Sequence, residues 1–203
     1  MSGENEQSLM KLALMFDPAG GDYLIDHNPL EEIALASDRA CALVVASICE
    51  MRLEHALRKF FDHGDSEMLD NVFRPDSILG NFRAKINIAY LSKIISRDAC
   101  HDLVIVSKIR NKFAHDFKII SFQEQFIRDR CKNLILPEKH YMNIEYGAGA
   151  GDIPPADHFT MLQSGLAEAI TDARSRYTAS CMLVANCIAM SLHPRSNHPM
   201  PYI

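Results

Sequence analysis

Apolar residues recur at three- and four-residue intervals through most of this 203-residue chain, and few segments show the two-residue alternation of a strand. That rhythm leaves each helix with one sticky side, and antiparallel helices are the economical way to cover such sides. The expected class is therefore all-α: an antiparallel helical bundle. Two regions stand apart. Residues 1–37 read as an N-terminal extension with short helices, one over Glu6–Met15 and another opening at Asn28-Pro29 with Glu31 in its first turn. Residues 38–203 read as the bundle, interrupted at 136–159 by an irregular excursion. Pro137, Pro154, Pro155 and the run Tyr146-Gly147-Ala148-Gly149-Ala150-Gly151 would cost a helix too much there.

Within the bundle, Asp38 is placed to cap a helix running to about Phe61. Ala40, Leu43, Val44, Ser47, Ile48, Met51 and His55 trace one face of it. A further helix follows Pro75 and Ser77, with Leu79, Phe82, Ile86, Ala89 and Tyr90 as its stripe. Ser96 opens the next, packed through Ala99, Leu103, Val106, Ile109 and Phe113. Ser121 and Glu124 have capping-box spacing for the next helix, with Phe122, Phe126 and Ile127 on its apolar, core-facing side. A final helix of about 30 residues, capped by Thr160 and spanning Met161–Met190, repeats Leu162, Leu166, Ala169, Ala173, Tyr177, Cys181, Val184 and Ile188.

Composition bounds the function. Hydrophobic residues make up 48% and charged residues 23%, ordinary for a globular protein. No apolar run reaches about 18 residues, and Met1-Ser2-Gly3-Glu4-Asn5-Glu6 lacks the basic start of an export signal, so a cytoplasmic address without membrane contact is expected. The six cysteines (41, 49, 100, 131, 181 and 187) form no Cys-x-x-Cys pair and mostly fall on apolar helix positions, where a thiol is a small hydrophobe. No cofactor or metal is indicated: phosphate-loop, dinucleotide and zinc-finger patterns are absent. A formal charge of −5 argues against a protein that binds nucleic acid over its whole surface. Locally the balance differs, since Arg97–Lys118 holds five Lys or Arg against three Asp.

That same stretch carries the chemistry. Ile109-Arg110-Asn111-Lys112-Phe113-Ala114-His115-Asp116 puts a guanidinium, an amide and an imidazole within about two helical turns. Arginine holds phosphate or carboxylate in a planar fork, and histidine transfers protons near neutrality. Arg110 and His115 are five positions apart, hence about 140° apart on a regular helix. They converge only if the helix loosens near Ala114, or if two copies meet across a two-fold axis. Metal-independent RNA cleavage would use His115 for proton transfer at the ribose 2′-hydroxyl or the departing 5′ oxygen. Arg110 would stabilise the charge growing on the phosphate, Asn111 would hold a phosphate oxygen or steer the histidine, and a 2′,3′-cyclic phosphate would result. The architectural alternative pairs Arg110 with Asp102, Glu50 or Glu54, sets His115 at the helix C-terminus, and uses Asp116 to hold the imidazole. Weaker candidates are Glu50, Glu54 and His55 at a pocket, Asp62, His63 and Asp65 as a metal corner, His101 and Asp102 as supporting residues, and Arg174 and Arg176 along a groove.

Asp38-Arg39-Ala40-Cys41-Ala42-Leu43-Val44-Val45-Ala46-Ser47 resembles the opening long helix of the mannitol operon repressor (MltR-like) family. Ile78-Leu79-Gly80-Asn81-Phe82-Arg83-Ala84-Lys85-Ile86 resembles the glycine-containing start of its second core helix, and His101 through His115 with Ser121-Phe122 continues the likeness. The resemblance covers most of 38–135 and 160–190. It implies an all-helical regulator of transcription that lacks a helix-turn-helix and acts through a protein partner. Arg110-Asn111 and His115 also resemble the Arg-x4-His motif of HEPN domains, which are helical and usually dimeric. Their ribonuclease members use this arginine and histidine as the catalytic pair, so the likeness nominates Arg110, Asn111 and His115. From sequence the preferred reading is a regulator working through protein–protein contacts. The rival is a HEPN-type endoribonuclease, a toxin or defence protein; both imply a homodimer.

Overall fold

The computed structural model describes residues 33, 35–118, 120–139 and 171–192. Six helices are named in chain order: α1 (Asp38–Phe60), α2 (Ser66–Phe73), α3 (Phe82–Leu91), α4 (Arg97–His115), α5 (Gln125–Lys132) and α6 (Ala173–Leu192). Among the described residues there is no strand, so the chain is all-α. The expected helix at Glu6–Met15, the start at Asn28, the Thr160 cap and the glycine-rich run lie outside the described residues.

Helix starts follow side-chain chemistry. Ser37 Oγ accepts from Ala40 N at 3.2 Å, Asp65 Oδ1 from Met68 N at 2.9 Å, Asn81 Oδ1 from Ala84 N at 2.8 Å and Ser96 Oγ from Ala99 N at 3.1 Å. The cap of α1 is thus Ser37 rather than Asp38, which frees the Asp38 carboxylate for other partners. The Ser121–Glu124 capping box does not form. Ser121 Oγ instead accepts from Gln123 N at 3.2 Å, closing a local turn, and Glu124 precedes α5 without a side-chain cap.

The α1 helix lies at the centre, packed against α6, α4 and α3. Three neighbours cover a wide arc, and its buried residues are Cys41, Ala42, Val45, Ala46, Ile48, Cys49, Leu53, Ala56 and Leu57. The expected stripe is therefore rotated: of its members Val44, Ser47, Met51 and His55 face solvent. Small alanines and cysteines let α6 approach closely, which hydropathy alone ranks below valine and methionine. Of the next expected stripe, Leu79, which precedes α3, and Phe82, Ile86 and Ala89 on α3 are buried, but Tyr90 is exposed. All five expected packing positions of α4 are buried.

One further expectation changes. Residues 136–139, assigned to the irregular excursion, are helical, because Asp102 caps their start. Of the expected final helix the described part is α6, which begins after Asp172, whose Oδ2 accepts from Ser175 N at 2.8 Å and Ser175 Oγ at 3.0 Å; residues 161–170 lie outside the described residues. Within α6, Tyr177, Cys181, Val184 and Ile188 are buried as the spacing requires. Tyr177 donates to Ala42 O at 3.0 Å and stacks in series with Phe122 (5.4 Å between centroids) and Phe113 (5.0 Å), joining α6, the α4–α5 turn and α4.

Candidate functional site

The end of α4 is held from outside. A helix leaves its last carbonyls without internal partners, and Arg39 of α1 supplies the donors. Its Nη1 donates to Phe113 O at 2.5 Å, and its Nη2 to Asp116 O at 2.6 Å and Lys118 O at 2.7 Å. Asp116 leaves the helix in extended conformation (φ −85°, ψ 120°) with its N–H on Lys112 O at 3.1 Å. The following turn is tied to α1 as well: Asp38 Oδ2 accepts from Phe122 N at 2.9 Å, while Asp38 Oδ1 receives Arg174 Nη1 at 2.8 Å. A guanidinium and a carboxylate at the start of α1 thus fix the backbone on which His115 stands.

The helix stays regular through His115, so it does not loosen near Ala114. Arg110 follows Leu103 and Val106 at seven and four residues and is half-buried; Asn111 and His115, four apart, share the solvent face. Arg110 meets none of its expected acidic partners. Asp102 is committed to Ile135 N, Leu136 N and Ser180, and Glu50 and Glu54 to Lys85. Arg110 Nη1 instead donates to Asn111 Oδ1 at 3.2 Å, its one hydrogen bond among the described residues. The guanidinium is thereby drawn toward the face that His115 occupies. His115 is exposed and has no hydrogen bond or ion pair among the described residues. Asp116 does not orient it. The Asp116 carboxylate sits 2.8 Å from Lys112 Nζ and accepts from Lys118 N at 3.0 Å, and these bonds hold it below the usual carboxylate range.

Beside this motif lie groups that linear sequence did not single out. Phe126, expected in the core, is 46% exposed; the Arg130 guanidinium lies 3.7 Å from its ring centroid and Lys112 Nζ 5.8 Å from it. The four-residue spacing of Phe126 and Arg130 on α5 was the available signal; their proximity to Lys112 needed the fold. His101 Nδ1 lies 3.0 Å from Asp102 Oδ1.

The remaining candidates are architectural. Asp102 is fully buried and caps 136–139, accepting from Ile135 N at 3.0 Å, Leu136 N at 3.0 Å and Ser180 Oγ at 2.8 Å. Arg174 binds Asp38, Ile33 O and Ala36 O. Arg176, with Leu134 O, Lys132 O and Glu138 as acceptors, closes the end of α5. Both are tied to these partners, although Arg176 also borders the cavity between α5 and α6. Glu50 and Glu54 neutralise the buried Lys85 at 2.9 and 2.7 Å, whereas His55 is exposed. Asp62 receives Gly64 N at 3.2 Å and Asp65 caps α2, so the supposed metal corner is a helix-start turn. Burial pushes the thiols of Cys41 and Cys181 up, and those of Cys131 and Cys187 to about 12 and about 11, which suits packing rather than nucleophilic work.

A cavity of about 230 Å³ between α5 and the start of α6 is lined by Gln123, Arg128, Cys131, Lys132, Asp172 and Arg176 among others; burial pushes the Cys131 thiol up to about 12, and Asp172 is held by Ser175, which suits packing rather than nucleophilic work. No described helix is long and apolar enough to cross a membrane. Comparison of the chain with family models, curated proteins and solved structures gave no match.

Proposed function

We propose that this protein is a metal-independent endoribonuclease of HEPN type, acting as a symmetric dimer of helical bundles. The observation that carries the reading is the Arg110–Asn111 hydrogen bond of 3.2 Å beside an unpartnered, exposed His115. Arg39 is spent on three backbone carbonyls, and Arg174 and Arg176 meet carboxylates as well as carbonyls; Arg110 rests on one neutral side-chain amide, so its charge is left for an anion. His115 remains for proton transfer, and Asn111 stands between the two. One helix separates the guanidinium and imidazole by about 140°, so a second copy is what would complete the site, Arg110 of each protomer meeting a phosphate beside His115 of the other. Attack by the 2′-hydroxyl breaks the bond to the 5′ oxygen and leaves a 2′,3′-cyclic phosphate, which explains why no metal-bound water is needed.

The test is incubation of wild type, Arg110→Ala and His115→Ala with several RNAs in chelator. Cleavage to cyclic-phosphate ends by wild type alone, with matched DNA left intact, is the expected result; intact RNA with all three proteins would overturn the proposal.

A second reading, the transcriptional regulator working through a protein partner, draws on a different observation. Val44 and Met51 lie exposed on the side of α1 that also carries Ser47, and Ile78 and Leu91 are largely exposed. If RNA is left intact and a transcription factor binds the purified chain, with Val44→Glu and Met51→Glu abolishing binding, regulation replaces cleavage.

A further inference from the structure

We propose that the exposed face of α4, with the Phe126–Arg130 stack of α5 beside it, is a track for single-stranded RNA. The proposal rests on the ribonuclease reading above and goes beyond it by naming the path and strandedness of the substrate.

Arg97, His101, Lys108, Asn111, Lys112 and His115 recur at three-, four- and seven-residue spacings, and all six are exposed. They extend over roughly 27 Å of helix. The carboxylates of this helix are withdrawn from the face: Asp98 is paired with Lys139, and Asp102 is buried beneath His101. Asp116, just past the helix end, is held by Lys112. In a chain whose net charge is −5, a helix face on which Arg97 and Lys108 are exposed and unpaired among the described residues, with Lys112 exposed beside its Asp116 partner and no free acid, is a local arrangement. A polyanion is its natural complement.

The aromatic element narrows the polyanion. Phe126 is nearly half-exposed, the Arg130 guanidinium stacks on it at 3.7 Å, and Lys112 joins this pair to the α4 face. Arg130 Nε is buried with no hydrogen-bond partner, so the stack, not a carboxylate, holds this side chain. Asp129, the acid of the same helix, accepts from Gln125 Nε2 at 2.7 Å. A ring and a guanidinium plane beside a row of cations suit unpaired bases on a phosphate backbone; a duplex hides its base faces, and an acidic peptide or an anionic lipid has none.

The experiment measures binding of a fluorescein-labelled 12-nucleotide oligouridine, its duplex with oligoadenine, an acidic peptide and anionic vesicles. The full chain carries Arg110→Ala so that the RNA survives. Single-stranded RNA should bind tightest. Arg97→Gln and Lys108→Gln should each weaken it several-fold and make the log–log salt slope shallower by about 0.7. Phe126→Ala should weaken it by about 5- to 100-fold with little change in that slope. Arg74→Gln, exposed after α2, should do neither. Unchanged affinity in the three track variants, or preference for duplex, peptide or vesicles, overturns the track. Cleavage by the wild-type chain is scored separately on the same strand. Specific binding without cleavage retains the track and removes the nuclease; cleavage with unchanged binding by the track variants does the reverse.

Discussion

Arg39 donates to the backbone carbonyl of Asp116 at 2.6 Å across 77 residues of sequence, and so ties the start of the first helix to the end of the one that bears His115. The same guanidinium satisfies Phe113 O and Lys118 O. Arg39→Ala should cost about 2 kcal/mol, less than three charge-assisted bonds in sum because part of the network is exposed. Lysine, a point charge without the planar fork, should recover less than half. Urea midpoints of the three proteins check this, and an unchanged Arg39→Ala midpoint would remove the clamp from the argument.

Asp102 is the buried carboxylate with the most partners. Asp102→Ala strands two backbone N–H groups and the Ser180 hydroxyl in the interior, and should cost about 3 kcal/mol. Asp102→Asn turns an N–H₂ toward existing donors and should lie between. Amide exchange should locate the loss at Ile135 and Leu136; uniform protection with an unchanged midpoint would contradict the assignment.

Much of the fold was legible because some stripes are simple. Ala99, Leu103, Val106, Ile109 and Phe113 face one way on α4, and the structure buries all five. The stripe on α1 was misread because three helices surround it and the close contacts use Cys41, Ala42, Ala46 and Cys49, whose small size matters more than their hydropathy. Phe126 illustrates a second failure: periodicity marks an apolar residue but not that Arg130 will cover its ring at the surface. The candidate motif of Arg110, Asn111 and His115 is a matter of spacing and was legible as such. The supports of their backbone were not, since Arg39 and Asp38 reach Phe113, Asp116 and Phe122 only through contacts 74 to 84 residues distant in sequence.

The Lys85–Glu54 pair sets a pH dependence. Burial pushes the Glu54 carboxyl up, but hydrogen bonds from Lys85 and Arg58 outweigh it and hold the group below its ordinary 4.5. Burial lowers Lys85, and bonds from its ammonium to Glu54 and Glu50 more than reverse this, so it lies above 10.5. A depressed carboxyl contributes its stability above 4.5 and loses it as pH falls through the folded value. A raised amine contributes below 10.5 and loses it as pH rises through its own. Glu54→Gln should therefore flatten the acid side of a plot of denaturation midpoint against pH while lowering the neutral plateau. Parallel acid limbs for the two proteins would assign the acid sensitivity elsewhere.

Two backbone sites between α2 and α4 should respond in opposite directions. A Cβ on Gly80 would lie 2.3 Å from Arg74 O and 2.5 Å from Pro75 O, so Gly80→Ala forces main chain to move and should cost about 2 kcal/mol. Lys93 has φ 59° at the end of α3, where Ile94 N donates to Ala89 O at 2.8 Å and Lys93 N to Tyr90 O at 3.0 Å, a Schellman closure that favours glycine. Lys93→Gly should gain about 0.5 kcal/mol, the relieved strain being partly offset by a freer unfolded chain. Thermal melting of both variants is the check, and a shift of the same sign in the two would refute the pairing.

Asn111 offers the sharpest separation of chemistry from architecture, because its side chain is exposed and its one recorded partner is Arg110. Asn111→Asp would place a carboxylate on the guanidinium and neutralise the charge that the proposed cleavage would set against phosphate. RNA cleavage should fall by about two orders of magnitude, a loss typical of removing one transition-state donor. Asn111→Ala should fall less, about tenfold, since the guanidinium keeps its charge and loses only its tether. Neither change removes a buried contact, so both melting temperatures should stay close to wild type. If Asn111→Asp cleaves RNA as well as the parent protein does, Arg110 is not the group that meets the phosphate.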